Sequence, residues 1–259
     1  MADLAILKRK ISDSEYDRIK TFYPVTDVCP TCDDFGVYNL DGETHKCFCS
    51  EQKLLQKYYF ASNIGREYHD IGLKDFIGSD RERVVPFVQG YLEDFDSKFH
   101  YGLGITFSGP VGTGKTFAMT CVLKELIKQG RDTYFMTFDE MINIWASAWQ
   151  DAEVKRQLEE KLKSVDILGL DEVKTDNRSD AFLASGLEVI IRHRTSNLLP
   201  TLLTTNMTET ALDSVFTKTY SLLSARNTLV ELEGKDLRLD EVRYRIMELD
   251  AAGERRPIC

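Results

Sequence analysis

Eight residues constrain this chain more than any others: Gly109-Pro110-Val111-Gly112-Thr113-Gly114-Lys115-Thr116. They satisfy G-x-x-x-x-G-K-[ST] at every position. Glycines let the backbone turn tightly, so successive N–H groups point inward at phosphate oxygens. The helix opening at Lys115 adds its positive end. The flanks agree: Leu103–Ser108 reads as a short apolar strand, and Lys115 to Gln129 as an amphipathic helix with Gly130 at its C-cap. Gly109 to Gly114 are expected to wrap phosphates. The Lys115 ammonium is expected at the β- and γ-phosphates, and the Thr116 hydroxyl on Mg²⁺. The reading is a chain that binds ATP and hydrolyses it. The alternative, a chance match in an ordinary strand–helix turn, fits both flanks poorly.

Hydrolysis needs a second element, a strand that ends in acid. Val165–Leu170 is a continuous apolar run followed by Asp171 and Glu172. Asp171 is expected to hold the Mg²⁺ shell and Glu172 to act as general base on the attacking water. Adjacent carboxylates are costly there unless a cation balances them, although Asp is also common where a strand passes into a turn. Leu199–Asn206 is a third apolar segment with a polar tip, and an Asn206 amide beside the acidic strand would orient water against the γ-phosphate.

Further strands are expected at Thr133–Thr137, Thr201–Thr205 and Thr228–Leu232. Helices are expected at 81–99, 139–149, 152–163, 180–194, 209–214 and 218–225. Strands alternating with helices imply an α/β fold with a parallel sheet and right-handed crossovers. The expected architecture is a five-stranded parallel P-loop core.

These segments, GPVGTGKT, DILGLDE, LLPTLLTTN and SLLSARNTLVELEGKDLR, resemble the AAA+ ATPases of the DnaC/DnaI helicase-loader and IstB transposition-helper group over roughly residues 70–240. The resemblance implies that Asn206 is the sensor-1 residue. It implies that Arg226 is an arginine finger, reaching the γ-phosphate bound by a neighbouring subunit, and that Arg238 is a sensor-2 arginine. An always-charged planar fork suits both tasks, and an ordinary surface salt bridge is the alternative for each. Only 27 residues follow Leu232, too few for a separate multi-helix lid, and the loader group resembles this chain in having a reduced one.

Four of the six cysteines lie close together: Cys29-x₂-Cys32 and Cys47-x-Cys49. Four soft thiolates match tetrahedral zinc at about 2.3 Å per bond. An iron–sulfur site or no metal are the alternatives, and His45 is near enough to compete as a ligand. Asp33 to Lys46 reads as a short β-hairpin, and a helix is expected over 51–61. A piece of about 25 residues buries too little apolar surface to fold alone, so Zn²⁺ would decide its stability. A zinc module in front of a AAA+ core resembles the Gram-positive-type and phage helicase loaders, whose N-terminal part contacts the replicative helicase. It is less like the IstB proteins. Cys121 reads as a packing residue; Cys259 is uninformative.

The organisation expected is a helix and zinc module over 1–62, a linker over 63–80 that ends by docking on the next domain, an ATPase core over 81–240 and a tail over 241–259. Residues 3–20 read as a charged amphipathic helix. No apolar run approaches the length of a membrane span, and the N-terminus lacks a secretory pattern, so a soluble cytoplasmic protein is expected. A net charge of −9 argues against a strong stand-alone DNA binder. Arg192-His193-Arg194 and the lysine-bearing stretch Lys155, Arg156, Lys161 and Lys163 are the basic places available. Acidic neighbours make a solvated helix face the simpler reading of the second. The resemblance implies weak single-stranded DNA contacts along an oligomer, self-association through ATP-bridged interfaces, and a hexameric helicase as partner. An IstB-type helper acting on duplex DNA is the alternative. A small-molecule kinase would have no use for Arg226.

Overall fold

The computed structural model describes residues 29–147, 152–174 and 180–240. The expected helix over 3–20 and the tail 241–259 lie outside the described residues. The core is a parallel sheet of five strands in the order β4-β5-β6-β3-β7. These are β3 (Gly104–Ser108), β4 (Thr133–Thr137), β5 (Ile167–Val173), β6 (Thr201–Thr205) and β7 (Asn227–Glu231). The α/β expectation and the five-stranded sheet are both found.

Burial on both faces explains why these strands read as apolar runs rather than alternating ones. Successive side chains still go to opposite faces. Ile167 and Leu202 enter one core with Ile105, Phe107 and Val230. Leu168, Leu170 and Leu203 enter the other. The first face is covered by α1 (Phe48–Ala61), α2 (Arg81–Glu93) and α4 (Lys115–Lys128). The second is covered by α5 (Phe138–Ser147), α6 (Ala152–Ser164), α7 (Asp180–Ser196) and α8 (Glu209–Ser224). The helix expected over 81–99 breaks at Asp94, whose φ of −115° and ψ of 38° are not helical, into α2 and α3 (Phe95–His100). The two helices expected over 209–225 are one, kinked at Phe216 (φ −112°, ψ 37°). The acidic strand starts two residues later than expected and continues through Asp171 and Glu172 to Val173.

A two-stranded antiparallel hairpin, β1 (Val37–Leu40) and β2 (Glu43–Lys46), precedes the core, as the spacing predicts. The segment 63–80 docks along its length. Ile64, Ile71 and Phe76 are 1–2% exposed and share a core cluster with Leu55 and Tyr59 of α1 and with Phe117 and Leu123 of α4. Phe135 N–H donates to Ser62 O, and Asn63 Nδ2 donates to Phe135 O. The buried Lys124 of α4 donates to Tyr68 O at 2.5 Å and to Ile71 O. The helix after the glycine loop is thereby pinned to this segment by the Lys124 ammonium.

Candidate functional site

The glycine loop spans the gap between the end of β3 and the start of α4. Gly109, Gly112 and Gly114 all have positive φ, at 140°, 77° and 92°. All three are crowded by close neighbours, and a Cβ at Gly112 would stand 2.1 Å from the Asp236 carboxylate. A Cβ at Gly109 would stand 2.1 Å from Leu232 O, and one at Gly114 would press on the Phe76 ring at 3.0 Å. A side chain at any of these positions would be strained and crowded at once. The Lys115 ammonium folds back and donates to Gly109 O at 2.8 Å and Pro110 O at 2.5 Å. Lys115 is 7% exposed, and burial lowers its pKa while Asp171 and Glu172 act to raise it.

Parallel pairing of β5 with β4 and β6 carries Asp171 to the same edge of the sheet as the loop. Thr116 Oγ1 donates to Asp171 Oδ1 at 2.9 Å and lies 3.2 Å from Oδ2. Asp171 is 5% exposed, and burial raises its pKa against hydroxyl hydrogen bonds from Thr204 and Thr116. A buried carboxylate paired with a hydroxyl is an all-oxygen donor set of the kind Mg²⁺ takes. Glu172 is exposed and has a left-handed φ of 56°. Its carboxylate lies 4.0 Å from Lys174, which is paired at 2.6 Å with Asp139.

One cleft of about 620 Å³ is lined by Val111, Gly112, Gly114, Lys115, Thr116, Asp171, Glu172, Asn206 and Arg238. The sequence picked each of these. The cleft also has a wall that the sequence did not assign: Asn63, Tyr68, Phe76 and Ile77 from the docked segment, and Thr137 and Thr204 from strand ends. The Gly234–Arg238 segment leans directly on the loop, with Leu237 N–H donating to Gly112 O at 2.9 Å. Arg238 is 4.0 Å from Asp236. Arg226 is not among the lining residues. It precedes β7, at the opposite end of the sheet, and donates to Tyr101 O at 2.9 Å. Five strand residues at about 3.3 Å each separate the two edges by roughly 16 Å.

The four thiols form a second site. Their Sγ atoms all lie within 4.8 Å of one another, with Cys29–Cys47 at 3.7 Å and Cys32–Cys49 at 3.2 Å. These are far longer than a disulfide and near the spacing of about 3.8 Å that tetrahedral zinc with 2.3 Å bonds requires. Backbone hydrogen bonding lowers Cys29 to about 6, while burial and thiol neighbours raise Cys49 strongly. Four sulfurs sharing so little space stabilise one another as thiolates only with a cation among them, so the cluster fits a zinc module. His45 stacks on Tyr38 and is not part of the cluster.

The basic segment Arg192-His193-Arg194 separates into different roles. Arg194 is fully buried, and its five N–H groups donate to Thr201 Oγ1 and to the carbonyls of Leu162, Val165, Asp166 and Pro200 at 2.7–3.1 Å. It is a structural clamp and no DNA contact, despite a sequence that reads as a surface patch. Arg192 pairs with Glu188. On α6, Arg156 pairs with Glu153 and Glu160, and Lys163 with Glu159, which is the solvated face. Among the described residues no helix is long and apolar enough to cross a membrane.

Residues 102–227 match the family model described as IstB-like ATP binding protein. Over 171 residues the chain is 23% identical to the replicative helicase loader DnaI of Bacillus subtilis (strain 168), covering 64% of this chain and 52% of that protein. The chain thus spans about half the length of the curated relative it matches. The crystal structure of the DnaC helicase loader superposes with a TM-score of 0.57 at 22% identity, covering 65% of this chain and all of that one. AMPPCP-bound DnaA from Aquifex aeolicus gives 0.56 at 22% identity, covering 72% of this chain and 56% of that one. Fold, cleft and matched segment agree: residues 102–227 resemble an IstB-like ATP-binding domain, and the core has the fold of the DnaC and DnaA structures.

Proposed function

We propose that this chain is an ATP-dependent loader that binds a hexameric replicative helicase and delivers it onto single-stranded DNA. The observation that carries the proposal is the likeness of its core to two proteins named as helicase loaders. That core comes with a cleft holding the loop lysine, the acid pair and Asn206 together. The family supports ATP hydrolysis in general. Bound ATP and Mg²⁺ supply the scissile phosphate and its countercharge. In this reading the N–H groups of 109–114 and Lys115 orient the phosphates. Thr116 and Asp171 would hold the cation from the protein side. Glu172 takes the proton of the attacking water, which Asn206 positions. Arg238, which lines the same cleft, would neutralise phosphate charge.

Arg226, about one strand length from its own loop, is assigned to the loop of a neighbouring copy. ATP then reports assembly: a site completed by the next subunit turns over only within an oligomer. The thiol cluster with zinc carries the helicase-facing part of residues 1–62, ahead of a core proposed to run from 81 to 240. Because α1 and the segment 63–80 share the ATPase core, module and loop are mechanically continuous. Single-stranded DNA contact is assigned to the assembled oligomer rather than the monomer, in keeping with the net charge of −9.

The test is co-purification of the full chain with the replicative helicase of its own cell, alongside a Cys32→Ser/Cys47→Ser variant. Complex formation lost in the variant supports the proposal, and no complex with either protein refutes it. The match to the IstB-like model favours a second reading, a helper ATPase on duplex DNA. ATP-dependent filaments on duplex, without affinity for the helicase, select that reading.

A further inference from the structure

We infer that Thr204 is a positioning residue for the acid pair, its one hydroxyl fixing the Asp171 carboxylate and the Glu172 backbone together. The inference rests on the hydrolytic reading of the cleft given above. Thr204 is 1% exposed on β6. A hydroxyl has one proton to give and lone pairs to receive. Here the proton goes to Asp171 Oδ1 at 2.5 Å, and Glu172 N–H donates to Thr204 Oγ1 at 2.9 Å.

The backbone shows why this matters. Between Leu170 and Val173 the pairing of β5 with β6 slips: Leu170 faces Leu203, but Val173 faces Thr205. Three residues advance on β5 for two on β6, which is a bulge. Glu172 occupies it with φ at 56°, a conformation that costs a non-glycine residue about 1 kcal/mol or more and persists only where neighbours enforce it. Its N–H, taken off the regular ladder, is satisfied by the Thr204 side chain instead of a carbonyl. Thr205 Oγ1 re-anchors the strand one step on, donating to Val173 O at 2.6 Å. Thr204 thus holds the bulge that turns Glu172 out of the sheet.

Two hydroxyls reach Asp171, from Thr116 and Thr204. The Thr116 hydroxyl has a second task in the cleft, on the cation. The Thr204 hydroxyl, 1% exposed at the cleft wall, is given over to Asp171 and the Glu172 N–H, so it is the one that keeps Asp171 aimed when Thr116 is engaged by the cation. Outer partners of metal-holding carboxylates are typically worth about 10- to 100-fold in metal affinity or activity.

The experiment compares the full-length wild type, Thr204→Val and Thr204→Ser. It measures steady-state ATP turnover and the Mg²⁺ dependence of mant-ATP binding, with excess EDTA as the metal-free arm. Thr204→Val is expected to lower kcat by about 10- to 100-fold and to raise the Mg²⁺ midpoint, with mant-ATP affinity in EDTA changed by less than about twofold. Thr204→Ser, which keeps the hydroxyl, is expected to restore both. Thr204→Val matching wild type in kcat and Mg²⁺ midpoint overturns the inference. So does Thr204→Ser no better than Thr204→Val, or an equal loss of affinity in EDTA, which marks a general packing role. A wild type that binds mant-ATP but never turns over ATP refutes the hydrolytic reading instead, and the Mg²⁺ midpoints still judge the hold of Thr204 on Asp171.

Discussion

The hairpin at Val37–Lys46 and the sheet at Gly104–Glu231 reach order by opposite routes. In the hairpin, apolar side chains are spent outward: Val37 is 46% and Leu40 54% exposed, and Phe35 before it is 82% exposed. What converges inside is four sulfurs. In the sheet, Ile105, Phe107, Ile167, Leu168 and Leu202 are wholly buried between helices. A metal held by those four sulfurs would substitute for a core in the first region, and the core stands alone in the second. The two regions meet in α1, which carries Cys49 in its first turn and buries Leu55 and Tyr59 against the ATPase helices.

Denying the four cysteines a metal should separate the two regions most strongly. Chelation, or Cys32→Ser, is expected to accelerate amide exchange across 37–46 by about a thousandfold or more, because structural zinc is worth roughly 10–16 kcal/mol. Exchange in β3 and β5 should stay within a few-fold of wild type. Equal acceleration in both regions would show that the sheet also depends on zinc.

Next in size is Arg194. Its guanidinium satisfies four buried carbonyls, and burial lowers its pKa only to about 9, so it stays charged at neutral pH. Arg194→Met is expected to cost about 3–5 kcal/mol by urea unfolding, since buried acceptors lose their donor. It should leave duplex and single-stranded DNA affinity unchanged in whatever folded fraction remains. A stable variant with weakened DNA binding would return Arg194 to the surface role its sequence suggests.

The smallest expected effect sharpens the junction between the regions. His69 is 2% exposed, donates from Nε2 to Ile64 O at 2.9 Å, and packs on Tyr59 and Phe60 of α1. Burial lowers its pKa from 6.5 to about 4. A depressed folded-state value means the unfolded chain binds the proton first. The stability His69 contributes is therefore complete above about pH 6.5 and is lost as pH falls toward 4, by up to about 3 kcal/mol. His69→Gln, which keeps a donor but no titration in this range, should flatten that part of the stability–pH curve. An unchanged slope between pH 7 and 5 would contradict it.

Much of this was legible in the sequence because backbone chemistry dictated it. The loop glycines, the apolar strands and the paired cysteines each carry a pattern fixed by one physical requirement. Gly130 was read as a cap, and its N–H donates to Ile127 O while Arg131 N–H reaches Leu126 O, closing α4. Other features depend on neighbours distant in sequence. Ile64, Ile71 and Phe76 have no regular spacing, so their place in the core was hidden behind a glycine-bearing linker. Arg194 sits in a basic tripeptide, and only the carbonyls of Leu162 to Pro200 reveal its burial. Thr204 was visible as part of a strand, but its partner is a bulge that periodicity does not show.

In the proposed assembly each ATP site is shared, with Lys115 of one copy and Arg226 of the next. Complementation tests it most directly. Lys115→Ala should bind no nucleotide but still offer Arg226, and Arg226→Ala should bind ATP but leave its neighbour's site incomplete. Each alone is expected to hydrolyse ATP at least about 100-fold more slowly than wild type. Mixed in equal amounts, they should recover a substantial fraction of wild-type turnover, because Lys115→Ala subunits complete the sites of Arg226→Ala subunits. A mixture no faster than the sum of its parts, or an Arg226→Ala protein as fast as wild type, would contradict the shared site.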